Sequence, residues 1–185
     1  MKVKEILITA AELSGRRDLA DFLAERGFCA DANESAHDAE LLLRCYNLTE
    51  NEIALDYLPL LRTQTMHSDG TIAYGSFEQP PVEIIGVRNG RGFKEKFSLE
   101  ESGIVLPVGE FSITYSYRPA VKKMNDAPQL NRKGDARLLA LGTASEFSLM
   151  NGSFDTASLL DKRYRDALAC ACRERGGRLK MRCWI

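Results

Sequence analysis

Along the first thirteen residues, Val3, Ile6, Leu7, Ala10, Ala11 and Leu13 recur at three-and-four spacing. That spacing predicts a helix with one apolar face. Gly15 interrupts the pattern, Leu19, Phe22 and Leu23 resume it, and Gly27 is placed to stop it. A polar stretch, ADANES, leads into a second helical run whose apolar side carries Leu41, Leu42, Cys45 and Tyr46. Ser35 with Asp38 predicts the start of that run, as a weaker form of the reciprocal cap that Ser or Thr makes with Glu. Thr49 and Glu52 form a better pair, so the helix either restarts there or runs through to Pro59, which ends it.

From about Arg62 to Pro119 the period changes. Ser68-Asp69-Gly70 separates LRTQTM from TIAYGSF, Asn89-Gly90 separates VEIIGV from GFKEKF, and Pro107-Val108-Gly109 separates GIVL from EFSITYSYR. Asn-Gly between β-rich runs is the strongest short hairpin signal. The three turns predict about three hairpins, or six short strands. In the last run Phe111, Ile113, Tyr115 and Tyr117 share one face and Ser112, Thr114 and Ser116 the other. One buried face follows.

RPAVKKMNDAPQLNRKGD has two prolines and no periodicity, and is expected to be a linker. Beyond it Ala136, Leu138, Leu139, Leu141, Ala144, Phe147 and Leu149 predict a helix that Asn151-Gly152 ends. Ser153 is placed to cap another, with Phe154, Ala157, Leu160, Tyr164, Ala167, Leu168 and Ala171 on its inner face. The two should form an antiparallel hairpin of helices.

The expected fold is therefore α+β. Residues 1–61 and 128–176 form a helical bundle, and residues 62–119 form an inserted antiparallel β-sandwich or barrel. Residues 177–185 are a basic C-terminal arm. Neither helical pair alone buries enough to be stable, whereas the two together share a core. The alternative is three tethered modules.

Composition is that of an ordinary globular chain, 44% hydrophobic and 28% charged, with a net charge of −1. No global field draws it to nucleic acid. The distribution is uneven. Up to Leu60 acids outnumber bases roughly two to one, whereas from Lys162 onward eight bases face Asp166 and Glu174. Such asymmetry fits head-to-tail association between copies, or pairing of the two ends within one molecule. Five cysteines, an odd and irregular set, do not resemble a secreted disulfide framework. Glu5 and Glu12 break the N-terminal apolar stretch, so it fails as a signal peptide. No apolar run is long enough to span a bilayer. Synthesis in a reducing cytoplasm is expected.

Candidate chemistry is sparse. His37 and His67 are isolated and read as exposed residues. Gly86, Gly90 and Gly92 fit turn geometry rather than phosphate binding. Cys170 and Cys172, two apart on a helix, point about 200° from each other and cannot address one ion together with Cys183. No metal, no cofactor and no catalytic group is expected, so the chain reads as non-enzymatic. The closing residues RLKMRCWI place Arg178, Lys180 and Arg182 before Trp184 and Ile185. Basic residues beside an aromatic anchor suit partner binding or contact with phosphate.

The stretches LLLRCYNLTENEIALDYLPL, ITYSYRPA and EFSLMNGSFDTASLLDKRYRDAL resemble, over most of the chain, the head-to-tail adaptor proteins of tailed bacteriophages, also called connector or tail-tubular-type proteins. The resemblance implies a structural protein, made in the bacterial cytoplasm and resident at the virion neck, that forms a ring between portal and tail proteins. It implies self-association in that ring by a chain that can be a monomer in isolation, with DNA passing nearby without sequence-specific contact. Arg178, Lys180, Arg182, Trp184 and Ile185 would then form a docking arm. The alternative is a non-enzymatic binding or regulatory module with a different partner.

Overall fold

The computed structural model describes residues 1–26 and 32–173. Among them, helices α1 (Val3–Leu13), α2 (Arg17–Leu23) and α3 (Ala32–Glu52) precede the strands β1 (Leu60–Ala73), β2 (Pro81–Asn89), β3 (Lys94–Glu95), β4 (Ser98–Leu99) and β5 (Gly103–Tyr117). Helices α4 (Ala136–Met150) and α5 (Phe154–Cys172) follow. The protein is α+β.

The outer helical segments meet in one apolar core. Leu7, Leu19, Leu42 and Tyr46 from the first segment pack with Leu139, Phe147, Leu160 and Leu168 from the second. Helix α4 lies at its centre, against α1, α3 and α5. Its composition explains that position, because Ala140, Gly142, Thr143, Ala144 and Ser145 are small enough to be buried on several sides at once. Gly142 is the tightest point. A Cβ there would lie 2.5 Å from Thr49 Cγ2 and 2.9 Å from Tyr164 Cε2.

Helix boundaries differ in part from the expected ones. Helix α3 begins at Ala32, so Ser35 lies inside it and is buried. The helix runs through Thr49, whose hydroxyl is buried without a hydrogen-bond partner while its methyl packs at Gly142. It then widens into one π-helical turn, Ile53–Tyr57, before Pro59. The cap of α4 is Asp135, whose carboxylate accepts from the Leu138 N–H at 2.8 Å. Gly152 takes a φ of +73° between α4 and α5, as Asn151-Gly152 predicts. Phe154 is exposed, so the inner face of α5 starts at Ala157. Gly27 lies outside the described residues.

The strands form one five-stranded antiparallel sheet ordered β1-β5-β2-β3, with β4 also on β5. Hydrogen bonding makes it an open sheet, neither a two-sheet sandwich nor a closed barrel. Two of the three expected turns are not turns. Ser68-Asp69-Gly70 lies within the 14-residue β1 and Pro107-Val108-Gly109 within the 15-residue β5. They face each other, Ser68 opposite Gly109 and Asp69 opposite Val108. The register slips there, so Gly70 alone stands opposite Leu106 and Pro107. This is a β-bulge, where proline's missing N–H is tolerated and glycine supplies the unusual backbone, here a φ of +118° at Gly70.

The bulge bends the ribbon sharply. Leu60 and Pro81 both pair with Tyr117, so the chain must return from Ala73 to the start of β1 within eight residues. Eight residues reach about 28 Å at most. A straight β1 would need about 43 Å. The far half of the ribbon therefore folds back over the near half. Phe77, in the returning segment, stacks edge-on against Tyr115 with centroids 4.9 Å apart. Ile72, Ile104 and Leu106 from the far half close a second core with Val87, Phe111 and Ile113. Arg62 pairs with Glu78 at the edge of this fold-back.

The Asn89-Gly90 hairpin is present, joining β2 to β3, but as a longer loop. The Asn89 side chain accepts from the N–H groups of Arg91 and Phe93, and the positive φ falls at Gly92.

Gly142→Ala is expected to cost roughly 1–3 kcal/mol, the ordinary penalty of overpacking a filled core. Thermal denaturation against the parent measures it, and an unchanged melting temperature would contradict the close packing of α3, α4 and α5.

Candidate functional site

The segment between β5 and α4, residues 118–135, has no helix or strand of its own yet is tied down along its length. It lies across α3 and the start of α1. The Asn47 side chain accepts from Lys122 N–H at 2.7 Å and donates to Lys122 O at 3.2 Å, taking the place of a backbone strand. The N–H groups of Val3 and Lys4 donate to the carbonyls of Asp126 and Met124. These donors open α1 and have no partner within the helix, so the strap serves as its cap. The Asn131 amide donates to Pro59 O at 2.8 Å. Both crossings between helices and sheet are thereby fixed at one place.

A buried carboxylate sits under the strap. Glu50 is 1% exposed, and its Oε1 accepts from Tyr46 Oη at 2.9 Å and from Gln129 N–H at 2.7 Å. Lys122, also buried, donates through Nζ to Gln129 Oε1 at 2.8 Å. Burial pushes the Glu50 carboxyl above its ordinary pKa, against the hydrogen bonds and the Lys122 charge, which pull it down. Tyr46 is raised by burial and by the same carboxylate. Two residues on, Glu52 accepts from Tyr164 Oη at 3.2 Å and is also raised, by burial first and then by Glu146, Asp56 and Asp161. Buried beside Glu146, the Cys45 thiol is pushed up to about 11. Neither Glu50 nor Glu52 lines any of the clefts described below, and both serve packing.

Those clefts lie elsewhere. One large cleft, about 540 Å³, lies between the start of α4 and the last turns of α5. Lys133, Arg137 and Arg163 border it with Asp135 and Asp166, over a floor of Leu138, Ala167 and Ala171. Among the described residues, none of the three cations has an ion-pair partner. A smaller cleft of about 350 Å³ at the opposite end of α4 holds Ser14, Arg16, Ser148 and Asn151. There Arg16 bridges Asp18 and Asp38, joining α2 to α3. Both carboxylates raise the Arg16 pKa, and Asp18 is lowered in return.

The residues singled out from sequence are dispersed. His37 is exposed on α3, and His67, exposed on β1, lies 3.1 Å from Asp69. Cys170 is exposed at the rim of the large cleft, while Cys172 is half-buried with Sγ 3.8 Å from Tyr57 O. Among the described residues no three His, Cys, Asp or Glu side chains are grouped to hold a metal. No described helix is long and apolar enough to cross a membrane. Arg178, Lys180, Arg182, Cys183, Trp184 and Ile185 lie outside the described residues. The strap network was missed because its partners are 75 and 79 residues apart and the linker carries no period. Only the Tyr46–Glu50 pair, four apart on a helix, was open to discovery from sequence. No known protein-family model matches the chain, and a comparison with curated proteins finds no match.

With folded pKa values raised, Glu50 and Glu52 contribute stability that is fully present below an unfolded glutamate's pKa of about 4.3. That contribution is lost as pH rises through the folded values. Asp18, held low, acts oppositely and loses its contribution as pH falls. Glu50→Gln keeps an acceptor for Tyr46 and Gln129. It is expected to flatten the decline of melting temperature with rising pH, leaving the share due to Glu52. A pH series of thermal melts checks this, and an unaltered slope would contradict a buried, strained carboxylate.

Proposed function

We propose that the protein is a structural, non-enzymatic head-to-tail adaptor of a tailed bacteriophage or prophage, assembling as a ring between portal and tail. The observation that carries the reading is the union of the two outer helical segments in one core, with the bent β-ribbon inserted between them. A ring component needs a stiff body that presents fixed surfaces to its neighbours on either side. Here α4 provides the stiffness, and the strap ties the ribbon to α3 and α1, which pack on α4. Charge supports the same reading. The acids of the first segment and the cations of the last form no ion pair with each other among the described residues. Asp21 and Glu34 of the first and Arg137 and Arg163 of the last are exposed and outside the ion pairs among the described residues.

In this reading the protein is made in the bacterial cytoplasm and resides at the virion neck. Its partners are its own copies, the portal and tail proteins, and DNA passing without specific contact. The arm carrying Arg178, Lys180, Arg182, Trp184 and Ile185 docks on the portal. The full chain mixed with purified portal is expected to elute as a ring-sized species in light scattering. Trp184→Ala should weaken that complex at least tenfold, or about 1.4 kcal/mol, as for a buried aromatic anchor. No complex at high protein concentration would refute the reading.

A further inference from the structure

The large cleft and the acidic end of the molecule lie at opposite ends of α4, a helix of 15 residues and so about 22 Å long. At its start, Lys133, Arg137 and Arg163 surround the cleft without ion-pair partners among the described residues. At its end, Arg16 beside Ser148 and Asn151 holds Asp18 and Asp38. Asp21 follows Asp18 by three residues on α2, and Glu34 precedes Asp38 by four on α3, so each lies on the same helical face as its neighbour. Both are exposed and unpaired among the described residues.

We propose that the cleft bordered by Lys133, Arg137 and Arg163 receives the acidic end of a second copy, centred on Asp21 and Glu34. This rests on the ring reading and names the contact between neighbours. The two surfaces differ and are far apart on one molecule, which is the geometry of a heterologous, propagating interface. Opposite charge selects the register and discourages the reversed orientation. A nucleic-acid partner fits less well. The cleft includes two carboxylates, Asp135 and Asp166, and an apolar floor. A phosphate backbone instead favours an unbroken track of cations.

Two full-length charge-reversed variants test it: Arg137→Glu with Arg163→Glu, and Asp21→Lys with Glu34→Lys. All four positions are exposed, and Gln replacements serve if a reversal impairs folding. By sedimentation velocity at low salt, each variant alone should self-associate at least tenfold more weakly than the parent. An equimolar mixture should recover assembly, since every contact then joins unlike charges. Raised salt should weaken the parent, because exposed charges are screened. Variants that assemble like the parent would overturn the interface and leave the ring reading intact. A mixture that stays monomeric would also overturn it. So would loss of binding to duplex DNA in the first variant with self-association unchanged. Open-ended chains, lost in each variant and recovered on mixing, would uphold the contact and overturn the ring. A parent that stays monomeric at every concentration, both alone and mixed with portal, would overturn both.

Discussion

Helix α4 comes so near α3 and α5 at Gly142 that no side chain fits between its backbone and Thr49 or Tyr164. Much else depends on it. A helix that is buried on several sides must do without bulky residues at its crossing points, and α4 has Ala, Gly, Thr and Ser there. The same closeness leaves the Thr49, Thr143 and Ser148 hydroxyls buried with no partner among the described residues. That is an unfavourable cost per group, tolerated because the surrounding apolar packing is continuous.

The two halves are joined by polar contacts rather than by a common apolar core. Their cores are separate, one among the helices and one within the bent sheet. Asn47, Glu50, Gln129 and Asn131 fasten the strap at the point where the chain enters and leaves the sheet. Hydrogen bonds are directional, so a junction built from them sets an angle as well as a distance. Apolar contact alone would permit more sliding.

Sequence periodicity located the helices well because each buries one stripe, and repeated spacing survives without knowledge of the partner. It failed where one residue pattern has two structural meanings. Ser-Asp-Gly and Pro-Val-Gly read as reversals, yet a bulge uses the same residues for the same backbone reason. Only the pairing of Ser68 with Gly109 distinguishes the two. Likewise Thr49 and Glu52 resemble a cap until α4 is seen to occupy the space beside them. In the charged cleft, Arg163 belonged to the basic segment seen in the sequence, whereas Lys133 and Arg137 lay in or beside what read as a linker. Their convergence is a product of the α4–α5 turn and could not be read from spacing.

The strap has a consequence for synthesis. Helix α1 precedes the other described elements in the chain, but the carbonyls that complete its opening turn belong to residues 124 and 126, and its neighbour α4 starts at residue 136. Helices α2 and α3 can pack on α1 as soon as they are made, but its opening turn and its α4 face stay uncovered until most of the chain has been synthesised. Nor can the ribbon stand in meanwhile, since the partners of β1 on β5 lie 30 to 57 residues further along, from Ala73 with Gly103 to Leu60 with Tyr117. Distant pairings of this kind slow folding and leave apolar surface uncovered. The helix that fills the middle of the core is thus among the last parts of the chain to be made, and the elements ahead of it keep apolar surface open until it arrives.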